Sequence, residues 1–244
     1  YTTLFRSASL KGENGEVLET CTTDIYCYDR PKNITENGDY LKDGKVFVPT
    51  AAYHAKQALY DDGAKLGMNL MQIGYGGAEV YLKDKTVLTK ILDDVASRGM
   101  MGIVCLYQGM RAASHPDNIE TTKAIVTDLI DHPGVFGYAV MDEPFSQIPN
   151  PEYYLKEAYK TIRDIDDKHP VYLLDANDAE YKVGAKYYDV FAHDPYPSSS
   201  GEPGYHTQNM SNIARAATSK NNKPFLVVNQ AFLYGGYNPN SEEL

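Results

Sequence analysis

His132-Pro133-Gly134-Val135-Phe136-Gly137-Tyr138-Ala139-Val140-Met141-Asp142-Glu143-Pro144 is the stretch that decides the fold. Pro133 and Gly134 end the helical pattern before them, because proline lacks the N–H that a helix needs and glycine accepts a helix-terminating conformation. A strand is expected over 135–142. By period two, Gly137, Ala139, Met141 and Glu143 share one face, and Phe136, Tyr138 and Val140 share the other. The small face suits the crowded interior of a closed sheet, and the bulky face suits covering helices. On this parity Glu143 points over the central axis, and Pro144 ends the strand pairing behind it.

Outward from this strand, helical and extended periods alternate. Toward the N-terminus, a helix is expected over 118–131, a strand over 101–107, a helix over 86–98 carrying Val87, Leu88, Ile91, Leu92 and Val95, a strand over 68–74, and a helix over 55–66. The first strand of the series is expected over 45–53, entered through a hairpin whose Asp43-Gly44 turn accepts positive φ. Toward the C-terminus follow a helix from Pro151 to about 168, strands over 171–175, 188–193 and 224–230, and a helix over 206–219. Strands alternating with helices imply right-handed crossovers and a parallel sheet. Seven such strands, with no Gly-x-Gly-x-x-Gly after an early one, fit an α/β fold of the (β/α)8 TIM barrel type better than a doubly wound sheet.

The two ends are expected to lie outside the barrel proper. Residues 1–7 resemble the translation of a short-read sequencing adapter and are set apart as a probable assembly artefact. Residues 8–39, rich in β-branched and aromatic side chains, read as the end of a preceding β-rich domain. The barrel is expected over 40–244, cut before its eighth strand, because Ser241-Glu242-Glu243-Leu244 closely follows the seventh.

In such a barrel the active site forms at the C-terminal ends of the strands. Polar residues recur at these ends: Tyr53-His54, Gln72 with Tyr75, Tyr107-Gln108, Asp142-Glu143, Asp175 with Asn177, His193-Asp194 and Asn229-Gln230. The recurrence at one end of successive strands carries the argument. His132 and His169 precede prolines at the opposite end and read as structural.

The segment 132–144 resembles the fourth-strand segment of TIM-barrel glycoside hydrolases. Lys42-Asp43-Gly44-Lys45-Val46-Phe47-Val48-Pro49 is similar to the hairpin that leads from an N-terminal β-sandwich into those barrels. Segments 189–197 and 223–232 resemble sixth and seventh strands of the same group. The resemblance runs from about residue 40 onward and implies a carbohydrate substrate, no cofactor and a periplasmic or secreted location. It also implies that Glu143 is the general acid/base. The pattern's nucleophile, a glutamate at the end of strand seven, is replaced by Asn229 or Gln230, and an amide cannot accept a glycosyl group.

Acid catalysis of glycoside cleavage needs a second group, either an aspartate or the substrate's own acetamido group, and among the aspartates Asp194 is the first choice because it shares parity with Ala192 and Val190. Its bland reading is a turn-starting aspartate before Pro195. His54, Tyr75, Tyr107, Asp142, Asp175, His193, Tyr196, Asn229 and Gln230 are expected to line the substrate site. Two rivals stand beside this: a catalytically silent carbohydrate-binding barrel, and a metal-dependent hydrolase using His54, Asp175, His193 and Asp194.

Composition narrows the partners. The net charge of −10 opposes a nucleic-acid partner, since phosphate binding needs a basic surface. No apolar run reaches the roughly eighteen residues of a membrane span. The 21 tyrosines serve either sugar stacking or packing. Cys21 and Cys27, roughly 20 Å apart on a straight strand, exceed the about 7 Å limit of a disulfide unless the chain turns. Cys105 reads as a core residue.

Overall fold

The computed structural model describes residues 2–53, 55–73, 77–106, 117–175, 186–194, 208–209, 211–213, 215–216 and 223–228. The chain forms two compact units, Tyr1–Arg30 and Pro31–Leu244.

The first unit is an antiparallel hairpin of β1 (Thr2–Lys11) and β2 (Val17–Cys27), turned through residues 12–16, where the Gly12 N–H donates to Glu16 O. The adapter-like residues 2–7 form the first half of β1. Cys21 and Cys27 are both free and exposed on β2, in line with the distance argument. The division after Arg30 falls earlier than the expected boundary at residue 40. Residues 32 and 33 already donate backbone hydrogen bonds to Asp167 O and Lys168 O of the second unit.

The second unit opens with a small hairpin, β3 (Tyr40–Lys42) and β4 (Lys45–Phe47), turned through Asp43 and Gly44, both at positive φ. Seven parallel strands follow in one sheet: β5 (Ala51–Ala52), β6 (Leu70–Ile73), β7 (Met101–Cys105), β8 (Val135–Asp142), β9 (Val171–Asp175), β10 (Val190–His193) and β11 (Phe225–Val227). Their spatial order is their chain order. Every crossover therefore steps the same way, with none of the order reversal that creates the ligand crevice of a doubly wound sheet. Residues of β5, the first strand, and of β11, the last, line one cavity of about 460 Å³ together with Gln72, Ile103 and Tyr172. The sheet thus curls into a half-barrel around an interior, as a TIM barrel does before closure.

The helices include η1 (Gln57–Leu59), a 3-10 turn, then α1 (Tyr60–Lys65), α2 (Gly77–Lys83), α3 (Thr86–Ser97), α4 (Asp117–Leu129), α5 (Pro144–Gln147) and α6 (Pro151–Ile165). In α3, Leu88, Leu92 and Val95 are buried at the spacing expected of one helix face, each contributing about 1.5–3 kcal/mol by leaving water. Asp84 Oδ1 accepts from both the N–H and the hydroxyl of Thr86, covering the start of α3, and Gly99 at φ 75 follows its end. α6 starts at Pro151, where the absent N–H costs nothing, and buries Tyr154, Leu155, Ala158 and Ile162. Residues 208–209, 211–213 and 215–216 are helical, within the span expected for the sixth helix.

Three expectations are corrected. The strand expected over 45–53 is two pieces: β4 pairs back on β3, and only β5 joins the parallel sheet. Pro49 cannot donate to a ladder, and the Asn69 side chain bridges the gap, accepting from Thr50 N–H at 2.8 Å and donating to Val48 O at 2.8 Å. The helix expected from residue 55 begins as the 3-10 turn at Gln57 and becomes α-helical only at Tyr60, before Gly67 follows its end. A separate helix, α2, which the sequence pattern does not announce, precedes α3.

At the foot of the barrel, Asp166 is fully buried and organises the α6–β9 connection. Its carboxylate accepts from the N–H groups of Lys168 (2.8 Å) and His169 (3.0 Å) and from the Tyr138 hydroxyl (3.0 Å), and pairs with His169 Nδ1 at 2.8 Å. Burial pushes this carboxyl's pKa up, but the His169 hydrogen bond and charge outweigh it and hold the group below its ordinary value. His169 is structural, as expected from its place before Pro170. His132 likewise accepts from Gly134 N–H and faces Asp93.

Candidate active site

β8 carries the site, and its pairing is not an even alternation. Gly102 pairs with Val135, but Ile103 pairs with Gly137, so one extra residue sits at the start of β8. Ala139 pairs with Tyr172, but Asp142 pairs with Leu174, so three residues of β8 oppose two of β9 near the strand end. Each extra residue is a β-bulge that reverses which side chains face inward.

The first bulge turns Phe136 to the rings of Tyr40 (5.3 Å) and Phe47 (6.0 Å, edge-on) in the entry hairpin. Tyr138, expected on the same face, instead reaches Asp166. Gly137 is required here because a Cβ would lie 2.5 Å from Pro170 O.

The second bulge decides the mouth. Tyr172 lines the interior cavity, and Leu174 is the next residue of that parity. Asp142 takes Leu174's register, so Asp142 holds the inward position that simple alternation assigned away from it. Glu143 then departs from strand geometry altogether. Its backbone is left-handed (φ 41, ψ 55), its N–H donates to Leu174 O at 3.1 Å, and Pro144 begins α5 behind it. For an L-residue that conformation costs roughly 1–2 kcal/mol, and such strain concentrates at functional sites. The Glu143 side chain is partly exposed.

The electrostatics follow from this placement. Burial pushes the Asp142 carboxyl up to about 6; the neighbouring Glu143 charge adds to the rise and the Tyr53 hydroxyl opposes it. Tyr172 is raised well above its ordinary value by burial first, with Tyr40, Asp194, Cys105 and Asp142 adding to it. Tyr172 thus feels carboxylates from two strands, β8 and β10. Asp194, buried at 6% exposure, follows β10 with the parity of Ala192, which pairs with Leu174. Gln72, 5% exposed, lies on the cavity wall and donates from Nε2 to Cys105 Sγ at 3.0 Å.

The expected site residues therefore separate. Asp142 and Asp194 share the inward face, with Glu143 at the kink beside them. Asp175 and His193 are register partners on the opposite parity, both buried, with His193 stacked on Phe225 at 6.4 Å. His54, Tyr75, Tyr107, Tyr196, Asn229 and Gln230 lie outside the described residues. Tyr172 was missed by the sequence reading. The sequence holds no signal for it, because β9 is buried along its whole length and its two faces look alike. Among the described residues, no three His, Cys, Asp or Glu side chains group to hold a metal, and no helix is long and apolar enough to cross a membrane.

No protein-family model matches the chain, and no curated protein matches it. Solved structures do. A GH2 beta-galacturonidase from Eisenbergiella tayi, bound to galacturonate, superposes with a TM-score of 0.61 at 16% identity, covering 97% of this chain and 44% of that one. A beta-D-glucuronidase from Dictyoglomus thermophilum gives 0.56 at 18% identity, covering 86% and 41%. The Pseudomonas stutzeri endoglucanase Cel5A gives 0.54 at 18% identity, covering 80% and 73%. The chain spans less than half the length of the two uronidases, and at these identities the likeness is one of fold.

Proposed function

We propose that this chain forms the barrel part of a glycoside hydrolase, with Glu143 as the general acid. The observation that carries the reading is the strained, left-handed Glu143 at the C-terminal end of β8, on a fold shared with glycosidases. A glutamate kept at that cost where TIM barrels build their sites is best explained by chemistry. The proposal includes a neutral or charged carbohydrate as substrate.

Asp194 is the second carboxylate. It lies two strands from Glu143, and two strand spacings are about 10 Å, closer to the 6.5–9.5 Å of an inverting pair than to the 5–5.5 Å of a retaining one. In that reaction Glu143 delivers its proton to the glycosidic oxygen as the bond to the anomeric carbon breaks. Asp194 takes a proton from the water that attacks the opposite face. Asp142, Tyr53 and Tyr172 line the mouth below them.

A second reading, a barrel that binds glycans without turnover, is favoured by the amide pair Asn229-Gln230 where related barrels place a carboxylate. Screening hydrolysis of a glycoside panel separates the two. The hydrolase reading expects turnover that Glu143→Gln lowers by about 10²–10⁴-fold, with glycan binding retained. Binding without turnover in the unsubstituted protein supports the silent barrel; undiminished turnover in Glu143→Gln refutes the assignment of the acid.

A further inference from the structure

The cavity of the half-barrel is lined mostly by apolar side chains, with Tyr53, Gln72 and Tyr172 as its polar lining, and the carboxylates whose charge reaches Tyr172 bear on which sugar fits. Three observations meet there. The bulge at the end of β8 puts Asp142 level with Leu174 and Ala192 on the inward face, and Asp194 is the next residue of that face on β10. Gln72, nearly fully buried on the cavity wall, has its amide nitrogen engaged by Cys105, while its Oε1 has no hydrogen-bond partner among the described residues. Asp142 Oδ1 is also buried without a partner among the described residues.

Buried acceptors left without donors cost free energy, and what completes them must bring O–H or N–H groups. A neutral sugar brings several hydroxyls, and an amino sugar adds an ammonium that the carboxylates attract. A uronate brings a carboxylate that donates nothing and adds like charge near Asp142 and Asp194 in a site of low dielectric. Tyr172 is raised by burial first, and the charges of Asp194 and Asp142 add to it.

We infer that the cavity walled by Gln72, Tyr53 and Tyr172 and topped by Asp142 and Asp194 selects a neutral or amino sugar and rejects a uronate. The inference rests on the glycosidase reading above and narrows its substrate class. It sets this chain apart from the uronidases that share its fold.

The test is calorimetric binding at pH 7 and low salt, using the purified protein and the methyl glycosides of glucose, galactose, glucosamine and glucuronic acid. The neutral or amino glycosides are expected to bind at least tenfold more tightly than the glucuronide. Asp142→Asn should narrow that gap. Gln72→Met, which keeps the volume but removes the acceptor, should weaken the neutral sugars at least fivefold and leave the glucuronide unchanged. Thermal melting checks that both variants fold. A glucuronide that binds as tightly as the neutral sugars, or a gap untouched by both substitutions, overturns the inference while leaving a glycosidase possible. Failure of every sugar to bind or turn over sinks both readings.

Discussion

Replacing Glu143 by glycine should make the protein more stable than replacing it by alanine. The backbone there is left-handed at φ 41 and ψ 55. Any L-residue in that region carries a cost of roughly 1–2 kcal/mol, from which glycine is exempt. Against this, glycine has more freedom to lose on folding, worth about 0.4–1 kcal/mol relative to alanine. Both substitutions delete the same carboxylate beside Asp142 and the same partly exposed side chain, so those contributions cancel between them. The net expectation is a glycine variant more stable by about 0.5–1 kcal/mol, which for a chain of this size is roughly 1–4 °C in melting temperature. Urea and thermal unfolding at pH 7, with coincident spectroscopic probes, measure it. Both variants should be inactive, so that the residue is kept at the expense of stability. If the alanine variant is as stable as the glycine one, the backbone is not strained, and the observation supporting Glu143 as a functional residue is lost.

Other expectations are equally concrete. Asp142 has a folded pKa of about 6 against an ordinary 3.8. Below the ordinary value both folded and unfolded forms hold the proton. As pH rises toward the folded value the unfolded chain ionises first and stability is lost, completely so above it. Asp142→Asn should therefore be more stable than the parent at pH 7 by on the order of 2 kcal/mol, allowing for the carboxyl's partial exposure, and equal to it near pH 3. Urea midpoints at the two pH values decide it, and an advantage independent of pH counts against the buried placement. Asp166 has the opposite sign: its pKa is held below the ordinary value, so its contribution is present above that value and lost as pH falls through the folded one. Asp166→Asn should cost about 3 kcal/mol or more at neutral pH, with the gap closing in acid; a loss under 1 kcal/mol, a threshold about the size of one ordinary hydrogen bond, contradicts the role assigned to it. Gly137→Ala would put a methyl group 2.5 Å from Pro170 O. It should destabilise by about 2 kcal/mol and speed hydrogen exchange at the Tyr138 amide, which donates to that carbonyl. A melting point unchanged by Gly137→Ala would show that β8 and β9 can part without cost.

Much of this fold is legible in the sequence. Alternating periods placed six of the seven parallel strands closely, because buried strands and amphipathic helices leave different spacings in any sequence. Polar residues recur at the strand ends in the sequence, and Asp142, Glu143 and Asp194 stand at the same end of β8 and β10, with β9 between them. The failures have a common origin. Residues 45–53 looked like one strand because local propensity says nothing about which neighbour a strand pairs with, and Pro49 split it between two sheets. Asp175 and His193 end their strands as the pattern suggests, but only the register shows that they share the face opposite Tyr172. Tyr172 went unnoticed because nothing within β9 marks which face is inside.

Local pattern alone therefore determined a singly wound β/α chain, its helix boundaries at glycine and proline, and a carboxylate pair ending its fourth barrel strand. Those properties depend on neighbours within a few residues. Tertiary structure alone decided which of the two carboxylates faces inward. Two bulges in β8, each set by how that strand hydrogen-bonds to β7 or β9, reverse the alternation on which the parity argument stood. A period-two pattern survives only while every residue has a partner across the ladder, and whether it does is a property of two strands at once. Asp142 gained the inward place and the raised pKa for that reason, and Glu143 was left at the kink with its strained backbone.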